Sequence, residues 1–207
     1  MAPARTIQKD MDQRFFSWLT WGVQSARVAI PILLLISYCD VMWGQSRKPT
    51  EYQVKAAYLY NFGKFVRWPA VSGDSTYDSF LICVLGNDPF GSTLDSTVEG
   101  ESLDGKHLKV RRMTSANEAV RCHILYISSS EEHDLEHLLS ELTTHPVLTV
   151  SDIPDFVERG GDIEFVNQGD RIRFKVNLAS AEKSGLVFSS DLLKVAIAVK
   201  RDGHSGD

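Results

Sequence analysis

Two nearly unbroken apolar runs of strand length, Phe80 to Leu85 (FLICVL) and Cys122 to Ile127 (CHILYI), constrain this chain more than any other feature. A strand with one wet face alternates polar and apolar residues. A run without that alternation suits a strand covered on both faces, as in a parallel sheet. Val147 to Val150 reads as a third buried strand and His107 to Arg111 as a shorter one. Gly160-Gly161 then turns the chain into Ile163 to Val166, and Arg171 to Val176 alternates like an antiparallel strand. Asn167-Gln168-Gly169-Asp170 supplies the hairpin loop between those two. Strands alternating with helical stretches predict a single α/β domain. Its sheet is mixed and mostly parallel, flanked by helices, with a late antiparallel hairpin.

The helical stretches carry their own start and stop signals. Thr50 is an N-cap with Gln53 three residues on, so a helix is expected from Glu51 to Trp68, ended by Pro69. Val54, Tyr58, Phe62 and Phe65 fall on its expected apolar face. Ser72 to Ser79 reads as a loop. Asp88 is read as the N-cap of a second helix with Pro89 as its first residue. A last helix, about Ser190 to Lys200, would present Leu192, Leu193, Ala196 and Val199 on one face.

The N-terminal 46 residues differ in kind. Val28 to Tyr38 (VAIPILLLISY) follows Arg27 and is about half the ~20 apolar residues that a membrane span needs. The run suits a secretory signal, with Gly44-Gln45-Ser46 as a small-x-small cleavage site, and Met11 is an alternative start. Two other readings stay open. Lipid attachment at Cys39 is disfavoured by the bulky Tyr38 before it, and an uncleaved anchor back to Phe15 is interrupted by Gln24, Ser25 and Arg27. The expected organisation is a signal segment at 1–46, one folded domain at 47–200 and a polar tail at 201–207, with the mature protein exported.

Cleavage would remove Cys39 and leave an even pair, Cys83 and Cys122. An oxidising compartment favours a bridge between two such cysteines where geometry allows it. Neither lies in a CxxC motif, and two cysteines alone make poor metal ligands.

Charge and motifs exclude more than they assign. The whole chain carries -5, and the part after residue 46 keeps 18 basic against 24 acidic side chains, because Arg5, Lys9, Arg14, Arg27, Asp10, Asp12 and Asp40 leave with the leader. That balance argues against nucleic-acid binding. Gly86 to Thr93 has the outline of a phosphate loop, but Ser92 stands where such a loop needs Lys. His133-Asp134-Leu135-Glu136-His137 echoes a zinc-protease helix, with Asp134 where the Glu base belongs. Helical projection puts both histidines opposite Leu135, Leu138, Leu139 and Leu142, on the wet side. His123 could activate a free Cys122, but a hydrogen-bonded core histidine accounts for it as well. Ser128-Ser129-Ser130 reads as an N-cap cluster, and Asp152, Asp155 and Asp162 as turn and helix-start carboxylates. No catalytic residues, metal ligands or cofactor are expected, which points to a binding or regulatory domain.

The ordered set of segments resembles the YfiR family. The segments are AAYLYNFGKFVRWP (Ala56 to Pro69), FLICVLGNDPFG (Phe80 to Gly91), CHILYIS (Cys122 to Ser128), PVLTVSD (Pro146 to Asp152), GGDIEFV (Gly160 to Val166) and IRFKVNLASAEKSGLVFSSDLLKVA (Ile172 to Ala196). The resemblance implies a bacterial periplasmic protein, typically a homodimer. Such a protein represses a membrane-bound diguanylate cyclase by binding its periplasmic sensor region, and an outer-membrane lipoprotein relieves the repression. It also implies a Cys83–Cys122 disulfide. Some relatives have a second bridge near GGDIEFV, for which this sequence has no cysteines. Tyr60, Arg67 and Trp68 are the candidate interface residues, because such types are enriched in binding hot spots; core packing is the favoured role for Trp68. The alternative function is a periplasmic small-ligand sensor serving another signalling or transport system.

Overall fold

Residues buried on both faces of a strand need cover on both sides, and the chain provides it with helices above and below one sheet. The computed structural model describes residues 48–69 and 79–201. The leader with its cleavage site and Cys39, residues 72–78 of the expected loop, and the tail beyond 201 lie outside the described residues, while Ser79, expected to end that loop, is already in a strand.

The elements run α1 (Glu51–Phe65), β1 (Val66–Arg67), β2 (Ser79–Leu85), α2 (Ser92–Val98), β3 (Ser102–Leu103), β4 (Lys106–Met113) and a 3-10 turn (Ala116–Arg121). They continue with β5 (Ile124–Ile127), a second 3-10 turn (Ser129–Asp134), α3 (Leu135–Leu142), β6 (Leu148–Ser151), β7 (Ile163–Gln168) and β8 (Arg171–Asn177). The last are α4 (Leu178–Lys183), β9 (Val187–Phe188), α5 (Ser190–Val195) and β10 (Ala198–Lys200). Eight strands form one sheet in the order β10-β8-β7-β6-β5-β2-β4-β3, and β1 pairs with β9 as a separate ribbon. Strands β4, β2, β5, β6 and β7 are mutually parallel, while β7 and β8 form the antiparallel hairpin. This is the mixed α/β architecture that the apolar runs predict.

β2 shows why those runs lack polar positions. Phe80, Ile82 and Val84 enter one core together with Ala56, Leu59 and Phe62 of α1 and Leu94 of α2. Cys83 and Leu85 enter a second core with Leu125, Ile127 and the four α3 leucines, Leu135, Leu138, Leu139 and Leu142. Each fully buried leucine contributes about 2 kcal/mol by area. In the first core Phe62 stacks on Phe165 and meets Phe174 edge-on, locking α1 to the hairpin.

Several boundaries differ from the sequence reading, each for a local reason. The capping box of Thr50 and Gln53 forms as expected. However, α1 stops at Phe65, because Val66 and Arg67 turn extended to pair with Phe188 and Val187. Its buried face is Lys55, Ala56, Leu59, Phe62 and Gly63, which leaves Phe65 exposed. Asp88 caps a turn instead of a helix: its Oδ1 accepts the Phe90 N–H at 2.8 Å, and α2 starts only at Ser92. β5 begins at Ile124, leaving Cys122 and His123 just outside it. The hairpin loop shrinks to Gly169-Asp170, since Asn167 and Gln168 pair with Ile172 and Arg171. The last helix ends at Val195, because the free edge of β8 takes Val199 opposite Val176.

Gly161 has no room for a side chain: a Cβ there would lie 2.0 Å from Cε1 of the buried Phe156 ring. Gly161→Ala is therefore expected to destabilise the domain by about 1–3 kcal/mol through overpacking. Urea unfolding would register this as a lower midpoint, and an unchanged midpoint would contradict the packing described.

Candidate functional site

The N-terminal ends of the parallel strands open onto a groove of about 690 Å³. Its floor follows from local hydrogen bonding. Trp68 leaves β1 half-buried, and its indole N–H donates to the His123 carbonyl at 3.2 Å. The Phe80 ring lies edge-on to Trp68, with centroids 5.1 Å apart, and stacks on His123 at 4.3 Å. His123 Nδ1 accepts the Leu81 N–H at 3.1 Å, so that nitrogen carries no proton. The histidine is thus a hydrogen-bonded element of the sheet edge.

The walls come from distant parts of the chain. The β1–β9 ribbon is fastened further by the Ser189 N–H donating to the Phe65 carbonyl at 2.9 Å. It brings Val187 and Phe188 against the end of α1. The opposite wall includes Val120 and Arg121 of the 3-10 turn, which runs directly into Cys122. Cys122 is bridged to Cys83 of β2, with their Cα atoms 6.0 Å apart. Three apolar side chains on the lining are open to solvent: Phe65 at 40%, Val120 at 42% and Val187 at 54%. Among the described residues, Lys64, Arg67, Lys106 and Arg121 share the lining with the carboxylate of Asp104. The groove thus has an apolar floor and a basic rim.

Of the three interface candidates, the groove brings Arg67 and Trp68 together. Trp68 also packs partly into the core, against Phe80. Tyr60 is outside the lining, its hydroxyl bonded to Glu101 and its ring centre 3.9 Å from the Nζ of the lining residue Lys64. Phe65, Val120, Arg121, Val187 and Phe188 were missed. The β1–β9 pairing that gathers them joins residues far apart in the chain and leaves no local periodicity.

Two further ionic clusters lie toward the other end of the sheet. Lys55, 2% exposed, donates to Asp152 at 2.6 Å and to Glu51 at 2.5 Å. Burial pulls the Lys55 ammonium down, but its hydrogen bonds to Asp152 and Glu51 outweigh that and hold it above its usual value. Burial first, and the Asp152 carboxylate second, push the Tyr126 phenol well above its usual range. A lysine held charged and a tyrosine held neutral provide neither base nor nucleophile, so this cluster fixes α1 to the end of β6. Arg112 similarly ties Asp88 to Asp95, and its hydrogen bonds hold Asp95 below the usual carboxylate range.

The remaining sequence motifs resolve into structure. At the end of β2, a Cβ on Gly86 would lie 2.3 Å from Ser130 Oγ and 2.4 Å from Glu131 Oε1. Ser130 and Glu131 thus pack directly on the Gly86 backbone and leave no room for a side chain there. Ser128 accepts the Ser130 N–H, the cap role expected of that cluster. His133 and His137 are both exposed, with His137 3.4 Å from Glu141. Among the described residues, no group of three or more His, Cys, Asp or Glu side chains is placed to hold a metal ion. Asp152 and Asp162 are more than turn carboxylates, since both anchor buried networks.

The geometry yields two stability predictions. Replacing both Cys83 and Cys122 by Ala is expected to cost about 4 kcal/mol by the loop-entropy estimate for this separation. Calorimetry or urea unfolding of the purified variant checks it, and a loss under about 1 kcal/mol would contradict a structural bridge. Lys55→Ala should cost about 2–3 kcal/mol, below the ~3–5 kcal/mol of a fully buried pair because Asp152 stays partly solvated. A variant with wild-type stability would show the cluster to be incidental.

The sequence profile described as YfiR/HmsC-like matches residues 52–197. Among solved structures, a conserved domain protein from Vibrio cholerae O1 biovar El Tor is similar, with a TM-score of 0.50 at 11% identity over 73% of this chain. This chain spans 60% of that protein's length, and the likeness shows the fold alone. An ABC domain from Streptococcus pneumonia, solved with L-Trp, matches at a TM-score of 0.43 and 12% identity. That match covers 58% of this chain and 55% of the other, and it is too distant to carry an argument.

Proposed function

The chain belongs to the YfiR/HmsC-like family, whose members are periplasmic regulators rather than catalysts, and from that premise we propose that it represses a membrane-bound diguanylate cyclase. It does so by binding the cyclase's periplasmic sensor region, which lowers cyclic-di-GMP output. The active form is the mature domain after removal of residues 1–46, working as a homodimer, and an outer-membrane lipoprotein competes for it. The observation that carries the reading is the groove, where Phe65, Val120 and Val187 are exposed among Lys64, Arg67, Lys106 and Arg121. Aromatic and arginine side chains around an apolar centre are the residue types that dominate binding energy. A basic rim favours encounter with an acidic partner face. Repression follows if the groove binds the inactive conformation of the sensor region better than the active one, because only differential affinity shifts an equilibrium.

The groove volume also falls in the range of small-molecule sites, which supports a second reading as a periplasmic ligand sensor. Deleting the gene separates the two. Repression predicts raised cyclic-di-GMP and more biofilm, restored by wild-type protein. The charge-reversed Arg67→Glu, Arg121→Glu variant should not restore them, although it accumulates normally. Unchanged cyclic-di-GMP on deletion would rule repression out and favour the sensor.

A further inference from the structure

Among the described residues, one edge of the sheet is left uncovered over most of its length. β4 lies between β2 and the outermost strand β3. β2 pairs with β4 from His107 to Met113, whereas β3 reaches only Lys106 and His107. Two hydrogen bonds fix which way the rest of β4 points. The Gly86 N–H, at the end of β2, donates to the Met113 carbonyl at 3.0 Å, so the odd-numbered residues of β4 face β2. The Leu108 N–H donates to the Glu101 carbonyl at 3.1 Å, on the β3 side, so the even-numbered residues face outward. Alternation along the strand then turns the N–H and C=O of Val110 and Arg112 away from β2. Among the described residues, neither backbone meets a partner on that side.

The side chains along this edge are of one sign. β4 contributes Lys106, Lys109, Arg111 and Arg112 and no carboxylate. Arg112 is engaged by Asp88 and Asp95, and Arg111 by Glu118. Lys109 is exposed and forms no ion pair among the described residues. Lys109 and Arg111 stand on one face of the strand, and the half-buried Val110 on the other. A cleft of about 400 Å³, lined by Arg111, Arg112, Thr114 and Ser115, continues the edge past the end of β4.

We propose that the open edge of β4 is a docking site for an extended acidic strand of a partner protein, which pairs with β4 in line with β3. The partner's backbone exchanges hydrogen bonds with Val110 and Arg112. Its alternate carboxylates lie across from Lys109 and Arg111, and an apolar side chain between them meets Val110. A second copy of this chain is the wrong occupant. Antiparallel pairing of β4 with itself would set Lys109 and Arg111 across from like charges, which is how edge strands reject self-association. An acidic strand meets the same cations as an attraction. Apart from Lys106, the edge shares no residue with the groove, so the inference is independent of the proposed repression.

NMR titration of the purified protein, as its cell processes it, tests the proposal with two capped peptides, TEVEVET and TKVKVKT. At saturation the acidic peptide should shift the Val110 and Arg112 amide signals and slow their hydrogen exchange roughly fivefold, and the lysine peptide should do neither. Val110→Pro removes an outward N–H while leaving the ladder to β2 intact, and should weaken the acidic peptide roughly tenfold. The charge-reversed Lys109→Glu, Arg111→Glu protein should invert the preference, binding the lysine peptide roughly tenfold tighter than the acidic one. Should Val110→Pro not fold, the charge reversal decides. A wild-type protein that ignores the acidic peptide would leave Lys109 and Arg111 as guards of the edge alone, and would overturn the proposal. Shifts confined to the groove residues Arg67 and Val187, or a charge-reversed protein that keeps the wild-type preference, overturn it as well.

Discussion

Covering β2 on both faces is the constraint from which the rest of this structure follows. Phe80, Ile82 and Val84 demand α1 and α2 on one side, and Cys83 and Leu85 demand the 3-10 turn and α3 on the other. Five parallel strands then meet the pairing needs of a backbone that has no water to turn to. The disulfide belongs to the same constraint. Cys83 is on β2 and Cys122 precedes the neighbouring β5, so the bridge pins the 3-10 turn at the strand edge where the groove opens.

That edge is where we place the proposed binding surface. At the C-terminal ends of the parallel strands Lys55 pairs with Asp152, Ser130 and Glu131 pack on Gly86, and Arg112 pairs with Asp88 and Asp95, beside smaller clefts of about 400 and 280 Å³. Each of these named charges has an opposite charge or a hydrogen-bond donor. At the N-terminal ends the β1–β9 ribbon instead holds Phe65 and Val187 in solvent beside Arg67. Among the described residues this leaves apolar surface open beside an excess of positive charge, which association would relieve.

Strands buried on both faces were legible because they leave no polar positions, and the four α3 leucines because their spacing is helical. The ends of α1 and α5 were not. Val66 and Val199 are pulled into strands by Phe188 and Val176, partners that local propensity does not reveal. Arg67 and Trp68 were reachable as arginine and aromatic types near the first helix, whereas Val120 and Val187 carried no such mark. Asp152 and Asp162 looked like ordinary turn acids. Their significance lies in Lys55, 97 residues away, and in Thr149 across a strand boundary.

In-cell photo-crosslinking from the groove tests the central claim most directly, with the reactive group at Val187 and a control at the exposed His133 on the α3 side. The account predicts a crosslink from position 187, and not from 133, to the periplasmic region of a membrane protein carrying a diguanylate cyclase domain. Crosslinks from both positions alike, or from 187 only to proteins without such a domain, would contradict it.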